Sequence, residues 1–152
     1  MNKKKEYDSV QKMITSLLEG ENNLIANLAN TTAVIFERFE LLWVGFYFVS
    51  EAENQLVLGP FQGPLACTRI NYGKGVCGTA WKDGEGIIVP DVDSFPGHIA
   101  CSALSKSEIV IPIKKDGKVV AILDIDSEKN DEFNQDDLVE LTKICKKLSF
   151  LF

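Results

Sequence analysis

Glu108-Ile109-Val110-Ile111-Pro112-Ile113 is followed, across Asp116-Gly117, by Lys118-Val119-Val120-Ala121-Ile122-Leu123-Asp124-Ile125-Asp126. Both runs are rich in branched apolar residues, and a turn dipeptide between two such runs reads as a pair of strands joined by a turn. Side chains alternate faces along a strand, so Asp124 and Asp126 point one way and Leu123 and Ile125 the other. Leu123 and Ile125 are expected to pack toward the core, and the two aspartates to line the opposite face. Glu108, at the start of the neighbouring strand, adds a third carboxylate nearby. Clustered carboxylates repel, which raises a pKa or demands a cation: an ammonium group, or a metal in an oxygen-rich alternative.

Upstream, Leu41 to Val49 is aromatic and branched enough to be a strand, and Gln55 to Leu58 pairs back on it across the polar turn Glu51 to Asn54. Ile87 to Val89 reads as a further short strand. Before these, Val10, Met13, Ile14, Leu17 and Leu18, and then Leu24, Ile25, Leu28, Ile35, Phe36 and Phe39, recur at helical spacing on either side of Gly20. A closing helix starts near Asn134 or Gln135, with Leu138, Leu141, Ile144, Cys145 and Leu148 on one stripe. This order predicts an α+β domain: a mostly antiparallel central sheet, terminal helices on one face, and a loop-built pocket on the other. Glycines break the pattern from Gly59 to Gly86, although Cys77 to Trp81 fits a short helix after Lys74-Gly75. The connection from Asp91 to Lys106 is long, and long loops in compact domains are usually functional.

At 152 residues, 45% hydrophobic and 25% charged, the chain reads as a single domain spanning 1–152. A net charge of -6 leaves no basic patch for phosphates, so nucleic acid is not an expected partner. No apolar run approaches the ~20 residues of a membrane span, and Met1 to Asp8 lacks the apolar stretch of a signal peptide. A cytoplasmic location, with reduced thiols, is expected. The terminal amphipathic helices are candidates for a homodimer interface.

Cys145 falls on an apolar helix stripe and reads as a buried, inert thiol. Cys67, Cys77 and Cys101 differ, since each sits in a polar, glycine-containing stretch. A structural zinc site wants closely spaced pairs of Cys or His. Here nine residues separate Cys67 from Cys77, 23 separate Cys77 from Cys101, and His98 is the only histidine. No bound metal is expected from that spacing. His98 lies close enough to Cys101 to tune it. Thiols in loops combined with carboxylates on strands point to redox chemistry on a small cationic ligand. Trp43, Phe46 and Tyr47 are mainly core candidates, with one aromatic available to cover a methyl or sulfur group. Lys74-Gly75-Val76-Cys77-Gly78-Thr79-Ala80 can seat an anion on backbone N–H groups if it opens a helix, but it lacks the Gly-Lys-Ser/Thr ending of a P-loop.

Several of these segments together resemble the free methionine-(R)-sulfoxide reductases, a family of GAF-domain enzymes. The resemblance runs through Trp43-Val44-Gly45-Phe46-Tyr47, Gly59-Pro60-Phe61-Gln62-Gly63, Ala66-Cys67 and Gly75 to Ala80. It continues through Phe95-Pro96-Gly97-His98-Ile99-Ala100-Cys101, Ser107-Glu108-Ile109-Val110 and Leu123 to Ser127. It implies a GAF fold, Cys101 as catalytic cysteine, Cys67 as resolving partner, and Cys77 as a third cysteine that assists or substitutes. It also implies free methionine (R)-sulfoxide as substrate, thioredoxin as reductant, and no bound cofactor. Ser102 departs from the acidic residue expected after the catalytic cysteine.

On that basis Glu108 and Asp126 are expected to polarise the sulfoxide oxygen, one of them held protonated by its neighbours. Asp124, with Asp91, is expected to hold the substrate ammonium, and Trp43 and Tyr47 to complete the substrate pocket. The competing expectation is a GAF module that binds a small ligand without chemistry, because fold alone does not decide function. Three loop cysteines favour the enzyme.

Overall fold

Hydrogen-bonded pairing of Ser107–Lys115 with Lys118–Ser127 forms the expected hairpin, and its second strand is also central to the sheet. The computed structural model describes residues 2–99 and 101–152; Met1 and Ala100, the latter inside the Phe95-to-Cys101 segment, lie outside the described residues. In chain order the elements are α1 (Lys3–Gly20), α2 (Leu24–Phe39), β1 (Trp43–Ser50), β2 (Gln55–Gln62), β3 (Arg69–Asn71), α3 (Gly75–Asp83), β4 (Ile87–Val89), β5 (Ser107–Lys115), β6 (Lys118–Ser127) and α4 (Gln135–Leu148). Short 3-10 turns cover Val92–Ser94 and Ser149–Leu151. Strand order is β3-β2-β1-β6-β5-β4, with every pairing antiparallel.

Alternation along the strands divides the core in two. Val44 and Phe46 of β1, Ile109, Ile111 and Ile113 of β5, and Leu123 and Ile125 of β6 face α1, α2 and α4. Trp43, Tyr47, Val110 and Ile122 face the other way, against Val76, Cys77 and Ala80 of α3. The α+β, mostly antiparallel reading therefore holds, with one refinement: the pocket face is covered by the helix α3 as well as by loops. Cys145 lies in the helix-side core, where burial pushes its thiol pKa up. Among the described residues no helix is long and apolar enough to cross a membrane.

The ends of the helices follow local chemistry. Asn134 caps α4 by accepting from the Asp136 and Asp137 backbone N–H groups, and Asp137 returns a bond to the Asn134 N–H. That reciprocal pair satisfies otherwise orphaned donors. Asp137 also accepts from the Tyr7 hydroxyl at 2.8 Å, tying α1 to the start of α4.

Pro112 sits inside β5, normally a poor place for proline. It is tolerated because β4 pairs with β5 only from Glu108 to Val110, so beyond that point β5 is an edge. Two elements depart from the expected boundaries. β2 runs on through Gly59 and Pro60 to Gln62, and β3 forms inside the glycine-rich stretch.

Leu123 is fully buried between the sheet and the helices. Leu123→Ala is expected to lower the unfolding free energy by about 2–5 kcal/mol through lost transfer energy and the residual cavity. Urea denaturation should show the midpoint falling with an unchanged slope.

Candidate active site

The register of β6 with its two neighbours assembles the site. Glu108 of β5 pairs with Asp126, Trp43 of β1 also pairs with Asp126, and Gly45 pairs with Asp124. All of these positions face α3 rather than the helical layer. Gly45 is required for a spatial reason: a Cβ there would collide with the Trp43 indole and lie 2.6 Å from Phe61 Cβ. Its absence lets the Trp43 ring lie flat between Phe61, with centroids 5.3 Å apart, and Tyr47, at 6.0 Å.

A cavity opens between this sheet face, the N-terminus of α3 and the loops carrying Cys67 and Cys101. Its walls include Trp43, Tyr47, Cys77, Glu108, Asp124 and Asp126, with His98, Cys101 and Ser105 at its loop side. Cys67 and Cys101 are joined by a disulfide, with Cα atoms 5.5 Å apart. Cys101 is exposed and Cys67 half-buried, so this bond lies toward solvent. Cys77 remains a free, buried thiol, its Sγ 4.0 Å from Glu108 Oε1.

Burial dominates the electrostatics of the three carboxylates. Burial first, then the charge of Asp126, push the Glu108 carboxyl from 4.5 up to about 8. Burial and the Glu108 charge hold Asp124 well above the usual carboxylate range. Asp126 is raised by burial and by Asp124, partly offset by the Ser105 hydroxyl, which donates to Asp126 Oδ1 at 2.5 Å. Burial, followed by Asp124 and Glu108, pushes the Cys77 thiol up as well. His98 Nε2 approaches Glu108 Oε2 at 3.5 Å from the Cys101 loop.

Asp124 Oδ1 is buried and has no hydrogen-bond donor among the described residues. A donor for it has to come from a proton held on Glu108 or Cys77 beside it, or from a cation that enters the cavity. The helix α3 brings groups of the other polarity to the same cavity. Lys74, Gly75, Val76 and Cys77 also line the cavity, and the N-cap Lys74 offers no side-chain cap to the first N–H groups of α3, a helix end suited to an anion.

Eight of the nine expected site residues meet at this cavity or in the disulfide at its mouth: Cys67, Cys77, Cys101, Glu108, Asp126, Trp43, Tyr47 and Asp124. Asp91 is the one placed apart from them. Its carboxylate accepts from Asp93 N–H at 3.1 Å and Ser94 Oγ at 3.2 Å, capping the Val92–Ser94 turn rather than lining the cavity. Both expected aromatics face the cavity, but their polar atoms serve the protein. Tyr47 OH donates to the Cys67 carbonyl at 2.8 Å and Trp43 Nε1 to the Pro64 carbonyl at 3.1 Å, fixing the Cys67 loop. Phe46 belongs to the helix-side core. Ser105 escaped the sequence reading because a lone serine in a polar loop carries no signal; only the fold brings it to Asp126. Ser102 lines the cavity and its Oγ accepts from Leu104 N–H at 3.2 Å, bracing the turn after Cys101.

Comparison with known proteins agrees with this construction. A GAF domain family model matches residues 24–152. GAF domain-containing protein A of Dictyostelium discoideum is 56% identical over 147 residues, covering 97% of this chain and 92% of that protein. Free methionine-R-sulfoxide reductase of Escherichia coli (strain K12) is 42% identical over 149 residues, covering 97% of this chain and 89% of its own length. The X-ray structure of free methionine-R-sulfoxide reductase from Neisseria meningitidis, in complex with its substrate, superposes with a TM-score of 0.94 at 50% identity. That alignment covers 96% of this chain and 87% of the other. With the fold, the cysteines and the buried carboxylates arranged as above, this chain belongs to the free methionine-R-sulfoxide reductase family of GAF-domain proteins.

Proposed function

We propose that this protein reduces the R sulfoxide of free L-methionine to L-methionine, with Cys101 as nucleophile, Cys67 as resolving thiol and thioredoxin as the reductant. The single observation that carries the proposal is a bondable Cys67–Cys101 pair set over a cavity floored by Glu108, Asp124 and Asp126.

The substrate's two charged groups each have a counterpart in the cavity lining. Its ammonium meets Asp124, whose free oxygen otherwise lacks a partner, and its carboxylate meets the uncapped N–H groups of α3. The Trp43 ring supplies an apolar wall for the sulfur and methyl end. A methionine sulfoxide within a peptide has no ammonium, so it would leave buried carboxylates unpaired, which costs binding.

In the first step the Cys101 thiolate attacks the sulfoxide sulfur while a protonated carboxyl, Glu108 or Asp126, gives its proton to the sulfoxide oxygen. Raised carboxyl pKa values favour this role, since an acid ionised at neutral pH has no proton to give. In the adduct the oxygen shifts from the substrate sulfur to Cys101 as the S–O bond and the new S–S bond break, leaving a sulfenic acid on Cys101 and methionine reduced by two electrons. Cys67 then attacks the sulfenic sulfur, releasing water and forming the disulfide. A thioredoxin dithiol returns both cysteines to thiols by exchange, taking up the disulfide itself. Exposure of Cys101 leaves that bond open to an incoming thiolate.

The test is methionine release from the separated R and S epimers of free methionine sulfoxide, with thioredoxin recycling. Turnover of the R epimer alone is the expected result. Failure of folded, reduced protein to turn over either epimer would instead indicate a ligand-binding GAF module.

A further inference from the structure

Cys77 Sγ, a Glu108 oxygen and an Asp124 oxygen all lie within 4.8 Å of one another, and all three residues are buried. The spacing of Cys and His along the chain argues against a metal, but it takes no account of carboxylates brought together by strand register. Around a tetrahedral Zn2+ with Zn–S of ~2.3 Å and Zn–O of ~2.0 Å, sulfur and oxygen donors stand roughly 3.5 Å apart. Cys77 Sγ and Glu108 Oε1 are 4.0 Å apart, so a small side-chain adjustment closes them on an ion. A second observation points to a ligand here: Asp124 Oδ1 is buried with no donor among the described residues.

We propose that Cys77, Glu108 and Asp124 form a binding site for Zn2+, and that the ion occupies the seat of the substrate's ammonium and so excludes the amino acid. The competition rests on the activity proposed above; the metal site itself does not.

Donor chemistry selects the ion. A thiolate with two carboxylates suits a borderline cation such as Zn2+ or Co2+, whereas Mg2+ and Ca2+ prefer oxygen alone. Three protein donors leave one position of a tetrahedron for water. Binding is an exchange: the Cys77 S–H bond breaks, an S–Zn bond forms, and the thiol proton, with any proton held by the two carboxyls, goes to solvent. No electrons move, so the oxidation state of every group is unchanged. The ion and the ammonium make the same use of the cluster, since either neutralises carboxylates that burial otherwise disfavours in the charged form.

The disulfide form of the full chain is the right material, because Cys67 and Cys101 are then not metal-binding thiols. Equilibrium dialysis against Zn2+ should give one tight equivalent per chain. Co2+ should produce a thiolate-to-cobalt charge-transfer band, which reports a sulfur ligand directly. Cys77→Ser should abolish the band and weaken Zn2+ binding at least about tenfold, and Asp124→Asn should weaken it in the same direction. Cys145→Ala, which removes the other free thiol, should change neither. Should Cys77→Ser not fold, Glu108→Gln supplies the comparison. With free Zn2+ held constant by a metal buffer, so that chelation by the amino acid is compensated, saturating L-methionine should displace the ion, and N-acetylmethionine, which lacks the ammonium, should not. Absence of the band, an unchanged affinity in Cys77→Ser and Glu108→Gln, or indifference to L-methionine would each overturn the proposal. Turnover of the R sulfoxide in the presence of a chelator tests the activity separately.

Discussion

Cys101→Ser is expected to lower kcat/KM for the free R sulfoxide by on the order of 10³-fold or more, because it removes the group that forms the bond to sulfur. Serine keeps the size of the side chain but cannot accept the oxygen in a reversible sulfenic state. The fold should be indifferent, since Cys101 is exposed and its loop is braced by the Ser102 contact to Leu104 N–H. Binding should also persist, as Asp124, Trp43 and the α3 N-terminus are untouched.

Cys67→Ser separates the two chemical steps. One equivalent of methionine should still appear in a single-turnover experiment, leaving a sulfenic acid on Cys101 that a dimedone-type reagent traps. Multiple turnover with thioredoxin should then fall steeply unless another thiol reaches Cys101. Cys77 is the candidate, but it lies buried beside Glu108 with its thiol pKa pushed up, so it is a slow nucleophile. Equal single-turnover yields from wild type and Cys101→Ser would remove Cys101 from the chemistry.

Much of this site is legible in the chain because strand geometry is periodic. Alternation alone puts Asp124 and Asp126 on one face and Leu123 and Ile125 on the other, as the two halves of the core show. The capped start of α4 is equally local, since Asn134 and Asp137 form their reciprocal bonds within four residues. What local pattern cannot carry is register and reach. That Glu108 stands opposite Asp126 depends on which residues of β5 and β6 pair, and that Ser105 meets Asp126 depends on the path of a loop.

Asp91's place outside the cavity lining has the same origin. An acidic residue in a long loop near Cys101 fits a cationic ligand on paper, but aspartate's commoner use is to bond the backbone two residues on, as it does at Asp93. β3 lies in a glycine-rich stretch and spans only Arg69–Asn71, too short for any period to register. β2 passes Gly59 and Pro60 at a register shift and resumes pairing with β1 at Phe61 and Gln62, an outcome of tertiary pairing that overrides local propensity.

Asp124→Asn should move function and stability in opposite directions. Asparagine has the same shape but no charge, so the substrate ammonium loses its counter-ion in a buried site. Breaking such a pair costs a few kcal/mol, which corresponds to a rise in KM of about 10²-fold for the free amino acid. The folded protein without substrate should gain, because three crowded buried carboxylates are unfavourable when ionised.

The pH dependence follows from proton linkage. Glu108 binds its proton more tightly when folded, at about 8 against 4.5, so between those values the native state holds more protons than the unfolded one. Stability then falls as pH rises from 4.5 toward 8, by roughly 1.4 kcal/mol per pH unit for each proton fully involved, and flattens above. Asp124 and Asp126, raised in the same sense, steepen that loss. Asp124→Asn removes one of the three groups and relieves the charge acting on the other two. Its advantage in melting temperature over wild type should therefore be small near pH 5 and largest near pH 8. A melting curve series across that range, paired with KM at neutral pH, reads both effects. Loss of stability that is independent of pH would mean that Asp124 holds the fold together rather than waiting for a cation.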